Sequence, residues 1–266
     1  MWAILTPDDG TGSRLGHYGR MVTLGFLHAH PDDEALLTAG TMARAAAEGH
    51  RVVLITATDG AEGLAAASFG SDLAQTRERE LQESARILGV SAIHPLGFHD
   101  SGLHGDAPGG FASQPVGDLA ERVRQIMDAE GIDVLIGYDP SGGYGHPDHI
   151  QVHHVARAAS VMGGTRLFEA TLPREPISRA VRLAAHMRVT PADFDPAEFA
   201  HAYTPRADIT HRVDVRAFLD EKRASMKAHA SQASADDSTR TLAVLSGLPG
   251  PVFTALLGTE YYVRVP

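Results

Sequence analysis

The sequence predicts an α/β protein with a Rossmann-like, mostly parallel sheet and helices on both faces of that sheet. Apolar runs of strand length, rich in Val, Ile and Leu, alternate along residues 21–170 with segments whose apolar positions recur at helical spacing. Such runs are typical of parallel strands covered on both sides, and their alternation with helices indicates βαβ units. With 266 residues, the chain is long enough to bury a core as one domain.

Strands and helices are predicted in alternating order. The strand segments, each a short apolar run, are residues 22–29, 51–58, 92–98, 132–138 and 165–170. The helical segments between them are residues 34–48, 71–88, 116–130 and 150–162. Gly49 follows the first helical segment as a C-cap, and glycine-rich loops follow the second and third strands. In sheets of this kind, ligands bind beyond the carboxyl ends of the strands.

The chain divides into three parts by sequence pattern. Residues 1–20 are rich in Gly, Asp and Pro, which predicts a loose N-terminal extension. Residues 21–170 form the predicted α/β catalytic core. Over residues 171–266 the alternation fades into Pro- and Ala-rich segments with one helix at 215–230. This pattern predicts a smaller C-terminal cap region packed on the core within the same domain.

Composition excludes several classes of function. The formal net charge is -10 and no run of Lys or Arg occurs, so nucleic acid is not an expected partner. No apolar stretch has the length of a membrane span, and the opening segment has no signal-peptide pattern. The absence of cysteine removes disulfides, thiolate metal ligands and a cysteine nucleophile, and fits a cytoplasmic protein. Self-association into a homo-oligomer is left open.

The loop after the first predicted strand carries three side chains suited to chemistry. It reads His30-Pro31-Asp32-Asp33-Glu34 and leads directly into a helix. His30 and Asp33 are close enough in such a turn to hold one metal ion, which leaves Asp32 free to act as a base on a metal-activated water. The alternative is that the carboxylates only cap the helix, but capping needs one carboxylate and does not need His30.

A second loop of similar build follows the fourth predicted strand. It contains the run Gly142-Gly143-Tyr144-Gly145-His146-Pro147-Asp148-His149. His149 can complete a set of two histidines and one carboxylate, which is the usual arrangement of catalytic zinc and also suits Fe²⁺. His153 lies four residues further along the same helical face and is a rival ligand. We rank His153 below His149 as a candidate ligand because it lies one helical turn further from the strand ends.

These two motifs resemble those of the LmbE-like (PIG-L) N-deacetylases. The similarity runs from about residue 21 to the C-terminus and includes residues 30–34 and 146–149. Residues 142–149 and 100–102 are most similar to the mycothiol branch of that family. This branch comprises a deacetylase acting on an N-acetylglucosaminyl inositol and the related mycothiol-conjugate amidase. The resemblance implies a Rossmann-like fold, a zinc ion and a small amino-sugar substrate.

The resemblance also assigns roles to individual side chains. The implied zinc ligands are His30, Asp33 and His149, and the implied general base is Asp32. It further implies that His146 assists the transition state, that Tyr144 contacts the oxyanion, and that Asp148 orients His146. An Asp148 carboxylate beside His146 would raise the pKa of the imidazole and keep it charged near neutral pH.

Two further residues are predicted to contact the substrate. Arg77 places a charge on the apolar stripe of the second helix, where a guanidinium can bind hydroxyls or a phosphate. Alternatively, Arg77 reaches outward and pairs with Glu80. Asp100 follows the third strand and is placed to accept hydrogen bonds from sugar hydroxyls. Its alternative is an Asx-turn that leads into Gly102.

Two positions outside this set bear on the substrate and the site. The mycothiol branch has Gly-Glu at the start of the loop after the second strand, whereas this chain has Gly60-Ala61-Glu62-Gly63. Glu62 is therefore a candidate for the role of the usual loop glutamate. His229 ends a helix near the C-terminus, and we assign it no catalytic role because such a histidine commonly caps or packs.

The combined prediction is a zinc-dependent amidase that removes an acyl group from an N-acyl amino sugar, of N-acetylglucosaminyl-inositol type or a related conjugate. One alternative is a metal-dependent phosphoesterase, although two-metal enzymes of that class need about 5–7 ligands and only three are assigned here. The other is a sugar- or metal-binding module without turnover, which would have no use for Asp32.

Overall fold

The computed structural model describes residues 21–60, 73–105, 107–186, 200–233 and 241–266. The predicted N-terminal extension and Glu62 lie outside these residues. Within the described ranges, no helix combines the length and the apolar character needed to cross a membrane.

Seven strands form one sheet. They are β1 (Thr23–His28), β2 (Arg51–Thr58), β3 (Ala92–Phe98), β4 (Val134–Tyr138), β5 (Arg166–Thr171), β6 (His211–Asp214) and β7 (Thr259–Arg264). Their order across the sheet is β3-β2-β1-β4-β5-β7-β6. The first five in this order pair in parallel, whereas β7 runs antiparallel to both of its neighbours. The predicted α/β fold with a mostly parallel sheet is therefore confirmed.

Helices connect these strands and continue beyond them. They are α1 (Asp33–Leu37), α2 (Ala39–Ala47), α3 (Leu73–Ile87), α4 (Val116–Glu130), α5 (Gly142–Gly145), α6 (Pro147–Gly163), α7 (Arg174–His186), α8 (Leu219–Ala228), α9 (Ala230–Ala233), α10 (Thr241–Gly247) and α11 (Gly250–Leu257). Single turns of 3-10 helix occur at Phe111–Ser113 and Arg216–Phe218.

The helix predicted over residues 34–48 is divided into α1 and α2 at Thr38. This residue has φ of -133° and ψ of -1°, outside helical values. Its hydroxyl lies 2.9 Å from Nε2 of His28 at the end of β1. The interruption therefore coincides with a polar contact between this connection and the sheet, which the helical spacing of the apolar residues did not reveal.

Part of the segment predicted as a C-terminal cap extends the sheet. Strands β6 and β7 lie beside β5, with Tyr262 of β7 opposite Ala170 of β5. Only alternate residues of β6 are partly buried, and all four of its residues remain at least partly accessible. Since an edge strand of this kind lacks a continuous apolar run, its sequence gives little strand signal. Helix α8 packs on α1, α2 and α3 and so belongs to the layer on one face of the sheet.

The order of the strands determines where the active site can form. β1 pairs with β2 on one side and with β4 on the other. Strands β1 to β3 are therefore added in one direction across the sheet and strands from β4 onwards in the other, which makes the boundary between β1 and β4 a topological switch point. At such a switch point the loops after the two strands diverge to opposite faces and leave a crevice. Both motif loops found in the sequence follow these two strands.

A buried ion pair joins α8 to β7. Nζ of Lys222 lies 2.5 Å from Oε1 of Glu260, and both side chains are almost fully buried. The Glu260 carboxylate also accepts hydrogen bonds from the main-chain N–H groups of Gly40 (2.9 Å) and Thr41 (2.8 Å), at the start of α2. This carboxylate thus holds the first turn of α2, α8 and β7 together.

Replacing Lys222 by Met should destabilise the fold, because it leaves the buried carboxylate of Glu260 without its counter-ion. We expect the free energy of unfolding, measured by urea denaturation, to fall by about 3 kcal/mol. A loss below about 1 kcal/mol would mean that the remaining donors, which are the N–H groups of Gly40 and Thr41 and the Tyr262 hydroxyl, are sufficient to hold that charge.

Candidate active site

The loops after β1 and β4 meet at the switch point of the sheet. His30 comes from the first loop, Asp33 is the first residue of α1, and His149 comes from the start of α6. Nδ1 of His30 lies 3.4 Å from Oδ2 of Asp33 and 3.2 Å from Nε2 of His149. Nε2 of His149 lies 3.3 Å from Oδ2 of Asp33. Three potential ligand atoms therefore form a nearly equilateral triangle.

Carboxylates lie at the other nitrogen of the His30 ring. Its Nε2 lies 3.2 Å from Oδ2 of Asp148 and 3.5 Å from Oδ1 of Asp100. Asp148 is fully buried, and its two oxygens also accept hydrogen bonds from the N–H groups of Ser101 and Ala112, each at 3.0 Å. Burial opposes protonation of this ring, but the carboxylates of Asp100, Asp148 and Asp33 raise the pKa of His30 well above its usual value. A carboxylate at Nε2 favours a proton on that nitrogen, so a metal would bind at Nδ1, on the side of Asp33 and His149.

Asp148 contacts His146 differently from the sequence prediction. The main-chain N–H of Asp148 donates to Nδ1 of His146 at 3.2 Å, while its carboxylate contacts His30. Burial lowers the pKa of His146 to about 4, the imidazoles of His30 and His149 act in the same direction, and Asp148 offsets only part of this. His146 is therefore neutral at neutral pH with its proton on Nε2, in contrast to the charged imidazole expected from the sequence.

Asp32 occupies a strained backbone position beside the triangle. It is one of two non-glycine residues with positive φ in the described ranges, with φ of 133°. Its N–H donates to Oε2 of Glu34 at 3.0 Å, and its Oδ1 lies 3.3 Å from Nη2 of Arg77. Burial raises the pKa of Asp32, although Arg77 opposes this. Strain of this kind persists only where surrounding contacts enforce it, and it is common at active sites.

Arg77 is buried beneath the loop and does not face outward. Its guanidinium donates to the main-chain oxygens of Gly60 and Pro31, the latter at 2.7 Å, in addition to its contact with Asp32. Glu80, the alternative partner predicted from the sequence, instead accepts hydrogen bonds from Ser231. This geometry favours a role in holding the loop of Asp32 over the direct substrate contact that the sequence suggested.

Asp100 combines both of its predicted interpretations. Its Oδ1 accepts a hydrogen bond from the N–H of Gly102 at 2.9 Å, as in an Asx-turn, and also faces His30. Burial opposes ionisation, but His30 and the Gly102 N–H together lower the pKa of Asp100 to about 2. Asp100 is therefore an ionised acceptor at the edge of the site, and its contact with a sugar hydroxyl stays a prediction.

Tyr144 lies at the mouth of the crevice and is 44% exposed. Its ring centroid is 5.1 Å from that of His149 and 6.1 Å from that of His146. Gly143, just before it, has φ of 68° and ψ of -100°, a conformation that favours glycine, and this lets the short helix α5 turn. Partial burial and the carboxylates of Asp33 and Asp32 raise the pKa of Tyr144, so its hydroxyl stays a donor.

The end of β4 supplies supporting residues to which the sequence analysis assigned no role. The Tyr138 ring stacks on His149 with centroids 4.7 Å apart, and its hydroxyl lies 2.7 Å from Nδ1 of His28. Asp139 is fully buried and accepts the N–H groups of Ser141 and Gly143, each at 3.0 Å. The sequence feature that could have identified them is the pair Tyr138-Asp139 at the end of an apolar strand, immediately before the glycine-rich turn.

His153, the rival ligand, is used elsewhere. Its Nδ1 lies 3.1 Å from the main-chain oxygen of Tyr138 and 3.2 Å from Oε1 of Glu169. Glu169 is buried in β5 and also accepts a hydrogen bond from Arg157 at 2.9 Å. His153 therefore belongs to a buried polar cluster between α6 and β5, which favours His149 as the third ligand.

Comparisons with known proteins show what this chain resembles. The family model described as PIG-L, GlcNAc-PI de-N-acetylase, matches residues 26–160. A 1D-myo-inositol 2-acetamido-2-deoxy-alpha-D-glucopyranoside deacetylase from Saccharomonospora viridis is 38% identical over 257 residues, covering 90% of this chain and 93% of the relative. The matched region includes both motif loops.

Solved structures share the fold at lower sequence identity. N,N'-diacetylchitobiose deacetylase from Pyrococcus horikoshii superposes with a TM-score of 0.62 at 21% identity, covering 92% of this chain and 84% of that one. GalB, a 4-carboxy-2-hydroxymuconate hydratase from Pseudomonas putida, gives a TM-score of 0.60 at 15% identity, covering 92% and 97%. Since a deacetylase and a hydratase share this fold, the function must be argued from the site.

The triangle of His30, Asp33 and His149 predicts which histidine of α6 a metal needs. Replacing His149 by Ala should abolish stoichiometric zinc retention after dialysis, measured by atomic absorption, because it removes one of three ligand atoms. The matched control is His153→Ala on the same helix, which should retain the metal. Retention by His149→Ala, with loss in His153→Ala, would place the third ligand one turn further along the helix.

Proposed function

The chain belongs to the PIG-L family of de-N-acetylases, and from this we propose that it hydrolyses the acetamide of an N-acetylglucosaminyl inositol or a closely related N-acetyl amino sugar. The observation that carries the proposal is the triangle of His30, Asp33 and His149 with Asp32 beside it. The substrate class is that of the relative from Saccharomonospora viridis, of which the alignment covers 93%.

The donor set fits a divalent metal ion. Two imidazole nitrogens and one carboxylate oxygen lie 3.2, 3.3 and 3.4 Å from one another. Tetrahedral bonds of about 2.0–2.1 Å separate neighbouring ligand atoms by about 3.3–3.4 Å, so the triangle has the size that zinc requires. Fe²⁺ accepts the same two-histidine, one-carboxylate set. When bound there, either metal would polarise the amide carbonyl and make a water molecule more acidic.

We assign the role of general base to Asp32. Asp32 directly precedes the proposed ligand Asp33, and its carboxylate interacts electrostatically with Asp33 and His30. Burial raises its pKa, which makes it a stronger proton acceptor than an ordinary aspartate. Asp32 accepts a proton from the attacking water as the C–O bond forms. The same proton can then pass to the amine nitrogen as the C–N bond breaks, so that acetate and a free amine leave.

We assign stabilisation of the oxyanion of the tetrahedral intermediate to His146 and Tyr144. Because Nδ1 of His146 accepts the N–H of Asp148, the Nε2–H of the neutral ring is free to donate. The raised pKa of Tyr144 keeps its hydroxyl protonated, so it is the second donor. Donors that are fixed before the reaction contribute more than mobile ones, and loss of one commonly costs about 10²–10³-fold in rate.

The geometry disfavours the alternative of a two-metal phosphoesterase. Two further groups of potential ligands share His30 with the triangle: one adds His146 and His149, and the other adds Asp100 and Asp148. The carboxylates of Asp100 and Asp148 both lie at Nε2 of His30, on the side away from the triangle, which suits support of the His30 ring better than binding of a second ion. A binding module without turnover would not need the strained Asp32.

Activity against a panel of N-acylated glucosamine derivatives tests the proposal directly. The zinc-loaded protein should release a primary amine and acetate from N-acetylglucosaminyl inositol, measured with an amine-reactive fluorophore. Asp32→Asn keeps the size of the side chain but cannot accept the proton, so kcat should fall by about 10²–10⁴-fold with zinc content and KM unchanged. The proposal fails if the wild type hydrolyses no member of the panel, and the base assignment fails if Asp32→Asn loses less than tenfold.

Arg77 should control the pH dependence of the reaction. Since the guanidinium lowers the pKa of Asp32, Arg77→Met raises that pKa further, and more acid-side activity is lost as Asp32 protonates. The acid limb of kcat/KM should therefore move to higher pH by about one unit, the usual size of such a charge effect. Arg77→Lys, which retains the charge, should move it less. A raised KM with an unmoved limb would instead restore Arg77 as a substrate contact.

A further inference from the structure

A buried acid–base pair lies behind Asp32 and has no part in the reaction described above. It consists of Glu34, in the first turn of α1, and His229, at the end of α8, which are 195 residues apart in sequence. Both side chains are fully buried. Nε2 of His229 lies 2.6 Å from Oε1 of Glu34, so this pair joins the loop after β1 to the C-terminal part of the chain.

Glu34 uses each of its oxygens for a different purpose. Oε1 faces inward, where it also accepts a hydrogen bond from the Ser84 hydroxyl at 2.6 Å. Oε2 faces the catalytic loop and accepts the main-chain N–H of Asp32 at 3.0 Å. The position of the Glu34 carboxylate is therefore fixed by Ser84 and His229 on one side. On the other side, it determines where the backbone of Asp32 can lie.

Burying Glu34 and His229 has a cost in free energy, and the contacts within the pair do not explain why the pair is present. Two ionisable side chains have been removed from water, and Nδ1 of His229 is buried without a hydrogen-bond partner. Replacing such pairs by apolar residues of similar volume is often neutral or stabilising, so a buried pair is weak evidence for stability. Its geometry points instead to the residue at its outer end, Asp32, which has φ of 133°.

We propose that Glu34 and His229 are positioning residues that hold the strained backbone of Asp32, and thereby the carboxylate that acts as the base, against the metal triangle. The proposal rests on the function proposed above. His229 and Ser84 orient Glu34, and Glu34 anchors the N–H of Asp32. Without this anchor the loop relaxes towards an unstrained φ and the carboxylate moves. A displacement of about 1 Å in a catalytic group can cost about 10²-fold in rate.

The decisive variant replaces the whole pair, Glu34→Leu with His229→Leu. It leaves no uncompensated buried charge, so its melting temperature should stay within about 5 °C of the wild type. Its kcat should nevertheless fall at least tenfold, with KM and zinc content unchanged. Lys222→Met is the matched control, because it breaks another buried ion pair of α8. It should lower the melting temperature while kcat stays within twofold of the wild type.

A single substitution decides the matter if the double variant does not fold. Glu34→Gln is isosteric, but its one oxygen cannot accept from Asp32, Ser84 and His229 together, so kcat should fall about tenfold. In the metal-free protein, amide exchange measured by NMR should become faster at Asp32 in this variant. The amide of Gly40, which Glu260 accepts, should exchange at its wild-type rate.

Combining a Glu34 substitution with one at Asp32, and comparing the losses in kcat, distinguishes a positioning role of Glu34 from a general structural role. Because both changes act through one carboxylate, adding Glu34→Gln to Asp32→Asn should lower kcat by less than twofold further. The proposal is overturned if the Glu34 variants keep kcat within threefold of an active wild type, or if their losses multiply with that of Asp32→Asn. An inactive wild type would instead overturn the proposed function, and the exchange rate at Asp32 would still test the anchor.

Discussion

The whole site depends on the imidazole ring of His30, which is held on both of its nitrogens. Asp33 and His149 lie at Nδ1, and Asp148 and Asp100 lie at Nε2, so a single ring joins the loops after β1, β3 and β4. Burial opposes a charge on this ring, but the carboxylates at both nitrogens raise the pKa of His30 well above its usual value. A metal ion held at Nδ1 would take the place of the second proton. The reversal of strand order between β1 and β4 is what allows these loops to surround it.

Much of this arrangement could be predicted from the sequence because it depends on local patterns. Continuous apolar runs marked the parallel strands, and α4 was predicted with the bounds that the structure shows, Val116–Glu130. The two motif loops stood out because histidines and aspartates follow buried strands directly. In a parallel sheet the carboxyl ends of neighbouring strands share one edge, so the meeting of the loops followed from the fold class.

The remainder depends on contacts that local patterns do not encode. The carboxylate of Asp148 reaches His30, 118 residues away, and only its main chain serves the nearby His146. No spacing rule distinguishes these two directions, because they depend on how α6 begins against the sheet. The pair of Glu34 and His229 is similarly remote, and a lone histidine at a helix end carries no signal of its partner.

The placement of β7 between β5 and β6 constrains the order in which the molecule can assemble. β6 precedes β7 in the chain, but among the strands that the structure describes it pairs only with β7. It therefore joins the sheet either together with β7 or after it. β7 also brings Glu260, whose carboxylate binds the first turn of α2. Helix α2, early in the chain, therefore acquires this contact only when β7, late in the chain, is in place. Contacts between residues so far apart in sequence are typical of slowly folding topologies.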